Sequence, residues 1–524
     1  MEKPASELPI LVLRADADPG QGSGHVMRIL ALAHAWRERG GTVHFVSVRP
    51  APPLLRRMER AGARVTVIDH PSPARGDLDA TRALVERVGG GCRPWVVLDG
   101  YHFSSEYQRE LRSTGCRLLA IDDNAHLARY HADIVLNYGL HAPRLEYCAA
   151  ADCWRLLGTR YALLRPEFAA WRRFVRTTAG AARKVLVTLG GADADNVSAK
   201  VISALGILSV RGLEAEIVTG PLNPNLEALR QAAASIPGAR VRADVADLAP
   251  MMAWADVAVA AGGSTVWELA FLQTPALLLE LAPNQAAAAA ALAEFGAADF
   301  LGPAEELSAG DIAACLDDLL HDPRRRRRMA VRGRVLVDGL GTSRVVAAME
   351  ERERAPRGEL LLRRATASDA LLLWQWVNDP VTRRNSLSTK PVPWNEHQAW
   401  YSARLASPDC RIWILQAGEL PVGQVRYERT GAGAARLSFS VAPGFRGRSF
   451  GTRLLESTCE QAARELGARW IEAVALADNE ASRRALLKAG FLQAGQKTVA
   501  GRLCVVFRRS AGARSMEQDH ARSC

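Results

Sequence analysis

Three times along this 524-residue chain an apolar run breaks at a glycine-rich turn and resumes as an apolar helical pattern. The first is "ILVLRADADPGQGSGHVMRILALAHAW", the second begins "KVLVTLGGADADN", and the third is "ADVAVAAGGSTVWELAFLQTP". Each reads as a buried strand, a glycine loop and a helix. Such units build open parallel sheets with helices on both faces. They also place each loop at the carboxyl end of a strand, where backbone N–H groups at the helix start favour anionic ligands.

In the first unit the strand is Ile10 to Asp16, and Val26, Ile29, Leu30 and Ala33 recur at helical spacing. His25 closes the turn behind Gly20, Gly22 and Gly24. Glycines let backbone come close to a ligand, and a histidine there can take a proton near neutral pH. These residues alone leave two readings of His25, a proton acceptor or a helix cap.

"WVVLDGY" (Trp95 to Tyr101), "RLLAIDD" (Arg117 to Asp123) and "ADIVLNY" (Ala132 to Tyr138) are further apolar runs with polar ends, which would line one crevice. A second series starts near Lys184 and adds "AEIVTGPLNPN". Two Rossmann-like domains facing a cleft are expected, with a joint near Phe168 to Arg183. The segment "MEERERAPRGE", Met349 to Glu359, is charged, holds Pro and Gly, and reads as a linker. A mixed α+β pattern follows, and the polar tail after Arg509 reads as disordered. The expected domains are 1–170, 171–348 and 360–509, with the linker at 349–359 and the tail at 510–524.

Charge narrows the ligand class. The net charge of +11 points to an anionic ligand or to nucleic acid. The densest basic run, "DPRRRRRMAVRGR" from Asp322 to Arg334, reads as a solvated helix face without interleaved aromatics to stack bases, which disfavours nucleic acid. The nine cysteines are scattered without C-x-x-C pairing, so a reduced cytoplasmic setting is expected, with no zinc site or other metal. No apolar run is long enough to span a bilayer, and the polar start "MEKPASELP" is unlike a signal peptide.

"RADADPGQGSGHVMR", "LDGY", "IDDN", "LNYG", "RYALLRPEF", "TLGGADADN", "NPNL" and "AGGSTVWELAFLQTP" come in the order seen in the UDP-sugar hydrolases of pseudaminic acid synthesis. The resemblance covers most of residues 8–345. It implies the two-domain GT-B fold, related to the lipid-linked N-acetylglucosaminyltransferase of peptidoglycan synthesis. It also implies that His25 is the general base for water attacking the anomeric carbon of UDP-2,4-diacetamido-2,4,6-trideoxy-beta-L-altropyranose, with inversion. By the same resemblance, Gly190, Gly191, Val245, Ser264, Thr265 and Glu268 would hold UDP, with Glu268 accepting the ribose hydroxyls. Asp16, Gly24, Asp99, Tyr101, Asn137, Asn284 and Gln285 would face the sugar.

"SVAPGFRGRSFGTRLLE", Ser440 to Glu456, resembles the acyl-CoA loop of GNAT acetyltransferases, and "DNEASRRALLKAGF" their later N-x-x-S/A…GF element. The resemblance implies acetyl-CoA as cosubstrate, held by Val441, Arg446, Gly447, Arg448, Ser449, Phe450, Gly451, Thr452 and Asn479. Ser449 stands where glycine is usual, and Leu486 where the family often has an acidic tyrosine. The expected architecture is therefore α/β, two Rossmann-like domains in GT-B arrangement followed by a GNAT α+β domain. The expected chemistry is acetylation of a UDP-4-amino sugar, then its hydrolysis, with no nucleic-acid or membrane partner. The rival readings are a glycosyltransferase joined to a protein N-acetyltransferase, and a non-catalytic sugar-nucleotide sensor.

Overall fold

The computed structural model describes residues 9–17, 22–70, 74–190, 193, 195–220, 223–354, 360–431 and 433–511. The chain divides into two compact units, with the boundary between Val346 and Ala347.

The first unit holds two parallel sheets. Strands β1 (Leu11–Ala15), β2 (Val43–Val48), β3 (Arg64–Ile68), β4 (Trp95–Asp99), β5 (Arg117–Ile121), β6 (Ile134–Asn137) and β7 (Trp154–Leu157) lie in the order β3-β2-β1-β4-β5-β6-β7. Strands β8 (Lys184–Thr188), β9 (Glu214–Thr219), β10 (Ala239–Ala243), β11 (Val257–Ala261), β12 (Ala276–Glu280) and β13 (Asp299–Pro303) repeat the pattern as β10-β9-β8-β11-β12-β13. All five residues of β1, β4 and β11 are buried, because helices cover both faces of a parallel sheet. In each sheet the order reverses beside the first strand. The loops after β1 and β4, and after β8 and β11, therefore diverge and open a crevice between them.

The joint is tied down to the second domain, and the chain later returns to the first. Arg176, in the segment expected to be the joint, donates to the carbonyls of Met252 (2.7 Å) and Ala255 (2.5 Å) and to Thr274 Oγ1 (2.8 Å). The helix Gly341–Arg354 brings the chain back to the first domain. Gly341 lies so close to Ala162 that a Cβ would sit 2.2 Å from its carbonyl oxygen, and Arg344 donates to Arg160 O at 2.9 Å. This helix also corrects the linker, which was expected to start at Met349. Val345, Val346, Ala348 and Met349 form a buried face at helical spacing, and residues 355–359 lie outside the described ones. The basic run is corrected too. It forms the helix Pro323–Leu336, but Arg326 is 1% exposed and donates to the carbonyls of Leu319 and Ala179, so this arginine is a tie rather than a solvated charge.

The second unit is a single mixed sheet. Strands β14 (Leu360–Arg364), β15 (Cys410–Ala417), β16 (Leu420–Arg429), β17 (Ala434–Val441), β18 (Trp470–Leu476), β19 (Leu492–Val499) and β20 (Arg502–Ser510) are ordered β14-β15-β16-β17-β18-β20-β19. Every pairing is antiparallel except β17 with β18. The architecture is the expected one, two Rossmann-like domains followed by an α+β domain. Of the expected tail, residues 512–524 lie outside the described ones.

Candidate functional site

His25 lies in the first turn of the helix Gly24–Glu38, three residues before Arg28, and this spacing puts both side chains on one helix face. His25 does not serve as the cap. Its Nδ1 lies 2.7 Å from Asp99 Oδ1 at the end of β4, across the crevice between β1 and β4. A carboxylate only accepts, so Nδ1 carries the ring proton and Nε2 is left as the basic nitrogen. Arg28 grips the same carboxylate from Nε and Nη2, both at 2.5 Å, and reaches Asp123 Oδ2 with Nη1 at 2.7 Å. Burial alone would push the Asp99 carboxyl up. The Arg28 charge, with His25, outweighs it and holds Asp99 below the ordinary range.

Three of the expected sugar contacts are engaged by protein groups. Asp99 is 0% exposed, and both its oxygens serve His25 and Arg28. Asp16 accepts from Arg14 Nη1 (2.5 Å) and from the Val48 N–H (2.8 Å). Arg14 is itself fully buried and needs that partner, together with Asp77. Asn137 is buried too, and its amide donates to Asp123 O (2.9 Å) and accepts from the Gly139 N–H (2.7 Å).

Of the other expected residues, Tyr101 stands beside His25 and Asn284 bonds to Tyr101. A Cβ at Gly24 would meet nothing within 4 Å, so space lies open before it. The Tyr101 ring meets His25 edge-on at 5.3 Å, and its hydroxyl donates to Asp123 Oδ2 (3.2 Å) and accepts from Asn284 Nδ2 (3.1 Å). Asn284 belongs to the second domain and is exposed. Gln285 accepts from the Leu281 N–H (3.0 Å) and packs against Gly262. Arg28 and Asp123 were missed at the sequence level. An arginine on the buried stripe of a short apolar helix, three residues after a loop histidine, was the available signal.

In the second domain Gly190 follows β8 with φ +88°, and open space lies before it. Gly191 lies outside the described residues. Ser264 is the N-cap of the helix Thr265–Phe271 after β11 and makes no side-chain cap bond. Val245 sits beside Asp244, which accepts from Arg57 of the first domain at 2.9 Å. Glu268 is bonded to the first domain. It is 7% exposed, and its two oxygens accept from Arg165 Nε (2.7 Å) and Nη2 (2.9 Å). A buried carboxylate needs such a partner, so Glu268 first of all clasps the joint.

The second unit has its own opening. β17 and β18 pair only from Ala434↔Trp470 to Leu437↔Ala473, and then separate. The Ala442 N–H donates to Val422 O, so Val441 and Gly423 form a non-hydrogen-bonded pair, as do Phe439 and Val425. The backbone groups of Phe439 and Val441 therefore face the gap. Beside it runs the loop Arg446–Ser449. Gly447 (φ +78°) has open space, and Ser449 takes φ +61° at the start of the helix Phe450–Leu466. Phe450 and Thr452 lie on the first turn of that helix, and Arg448 stacks over Phe445. Arg446 donates to Asp379 Oδ2 (2.5 Å) and Thr382 Oγ1 (2.9 Å). Two of the expected residues carry packing or capping contacts. Gly451 is buried, and a Cβ there would press on Phe439 at 3.3 Å, so this glycine serves helix–strand packing. Asn479 caps the helix Glu480–Lys488 by accepting from the Ser482 N–H (3.1 Å), and Leu486 is buried.

Comparison with known proteins agrees with this division. Residues 359–492 match the family model described as an acetyltransferase (GNAT) domain. The chain is 25% identical over 341 residues to the spore coat polysaccharide biosynthesis protein SpsG of Bacillus subtilis (strain 168), covering 64% of this chain and 96% of that protein. It is 23% identical over 254 residues to the pseudaminic acid cytidylyltransferase and UDP-2,4-diacetamido-2,4,6-trideoxy-beta-L-altropyranose hydrolase of Helicobacter pylori (strain ATCC 700392 / 26695), covering 45% of this chain and 42% of that one. Among solved structures, the MurG of Acinetobacter baumannii aligns with a TM-score of 0.46 at 18% identity, over 66% of this chain and 100% of that chain. Among the described residues, no helix is long and apolar enough to cross a membrane, and no cluster of three or more His, Cys, Asp or Glu could hold a metal ion.

Proposed function

We propose that the chain is a bifunctional nucleotide-sugar enzyme. Its second unit acetylates the amine of a UDP-linked 4-amino-trideoxyhexose, and its first unit then hydrolyses the product to free sugar and UDP. The observation that carries the hydrolase reading is the His25–Asp99 pair. A fully buried carboxylate orients the ring and leaves Nε2 as base beside the open space at Gly24. Water loses a proton to Nε2 as its oxygen bonds to the anomeric carbon. The bond from that carbon to the diphosphate oxygen breaks, and the electron pair leaves with UDP, which inverts the centre. Gly190, Ser264 and Thr265 border the crevice where the diphosphate would sit, at strand ends and a helix start.

For the acetyl transfer, the gap between β17 and β18 with the loop Arg446–Ser449 fits the pantetheine arm and pyrophosphate of acetyl-CoA. Leu486 carries no proton, so the departing thiolate takes its proton from another donor or from water. The SpsG resemblance supports a role in sugar biosynthesis, and the matching GNAT model supports acyl transfer. The test is to incubate purified protein with acetyl-CoA and the UDP-4-amino sugar and to read the products by NMR. Free reducing diacetamido sugar is expected. Transfer of the sugar to an alcohol, acetylation of peptides alone, or no turnover would each replace this reading with one of its rivals.

A further inference from the structure

Asp123 is held more firmly than a loop carboxylate needs to be. Its backbone carbonyl accepts from both Asn137 Nδ2 and His141 Nε2, each at 2.9 Å, which uses both lone pairs. Its Oδ2 accepts from Arg28 Nη1 (2.7 Å) and from the Tyr101 hydroxyl (3.2 Å). Both side-chain contacts fall on Oδ2, so Oδ1 carries none from the described residues. The side chain is 22% exposed, whereas Asp99 beside it is at 0%. Asp123 is thus the carboxylate of this cluster that reaches solvent, and Arg28 ties it directly to the partner of His25.

We propose that Asp123 is a catalytic residue that orients the attacking water. The proposal rests on the hydrolase reading above. A nucleophilic water has two protons. His25 Nε2 accepts one, but a single acceptor leaves the molecule free to rotate, and its lone pair is then not aimed at the anomeric carbon. A second fixed acceptor removes that freedom. Asp123 Oδ1 is such an acceptor, rigidly mounted in the same crevice. The water oxygen bonds to the anomeric carbon, the bond to the UDP oxygen breaks with its electron pair, and one proton moves to His25. The other proton stays on the new hydroxyl, hydrogen-bonded to Asp123, which gains no proton.

The test compares wild type, Asp123→Asn and Asp123→Ala on the acetylated UDP-sugar, with UDP binding measured by calorimetry and folding by thermal melting. Asp123→Asn keeps the shape of the side chain but presents an amide in place of one carboxylate oxygen. Its kcat should fall ~100-fold, with KM and UDP affinity within about threefold of wild type. Formate should restore activity to Asp123→Ala saturably, a response that a purely structural role would not give. If Asp123→Ala unfolds, the split between kcat and KM in Asp123→Asn decides alone. A kcat within about threefold of wild type in Asp123→Asn overturns the proposal, as does a rise in KM that accounts for the whole loss. Wild-type protein that releases no UDP overturns the hydrolase reading itself, whereas an active wild type with an unimpaired Asp123→Asn overturns only the role of Asp123.

Discussion

At the scale of single residues, the site depends on charges that balance in pairs. His25→Ala should leave UDP binding near normal and lower hydrolysis ~100-fold or more, the usual scale for losing a general base. Undiminished turnover in that variant would remove His25 from the mechanism. Asp16 gives a prediction in pH. Burial opposes its charge, but His102 and Arg14 beside it outweigh burial and hold its carboxyl far below the ordinary range. A carboxyl depressed in the folded state adds stability that is complete above its unfolded pKa of about 4 and is lost as pH falls toward the folded value. Melting temperature should therefore fall more steeply below pH ~4 in wild type than in Asp16→Asn. Parallel curves would mean that Asp16 contributes nothing by its charge. His25 was legible in the sequence because glycines and a helix start surround it. Its partners were not. Asp99 and Asp123 lie 71 and 95 residues from Arg28, and only the strand order brings them together.

At the scale of elements, the parallel strands were the most legible part. β1, β4, β5, β6, β8 and β11 are almost wholly buried and read as mainly apolar runs with polar residues chiefly at their ends. β3 lies at a sheet edge, is partly exposed and carries no such run. The loop before the helix Phe450–Leu466 allows a stability test. Ser449 holds a left-handed conformation that costs a non-glycine residue ~1 kcal/mol, and its side chain makes no cap bond that would be lost. Ser449→Gly should therefore stabilise the second unit by up to about 1 kcal/mol, after the added flexibility of the unfolded chain is subtracted. Urea unfolding would measure it, and a destabilised variant would show that the hydroxyl has a role of its own. Gly451→Leu should act differently. It crowds Phe439 and Val441, so its melting temperature and its affinity for acetyl-CoA should drop together.

At the scale of the whole molecule, the helix Gly341–Arg354 decides where the chain can be cut. A chain ending at Arg354 keeps the contacts of Gly341 and Arg344 with Arg160 to Ala162, and should hydrolyse pre-acetylated UDP-sugar without acetyl-CoA. A chain ending at Leu340 loses them and should melt earlier. Equal melting temperatures for the two would show that the helix contributes no stability to the first unit. The charged stretch after Met349 looked like a boundary because its composition changes there, but the apolar face that fixes the helix lies just before the charges.

That returning helix also orders events in time. Residues near the start of the chain leave the ribosome long before Gly341 is made. At ~5–20 residues per second, the surface at Arg160 to Leu164 stays uncovered for roughly tens of seconds during synthesis. The first domain therefore completes its fold only after the second has been translated, and the nascent chain carries an uncovered surface in the interval. Chaperone dependence should accordingly be greatest for chains stalled between the two domains.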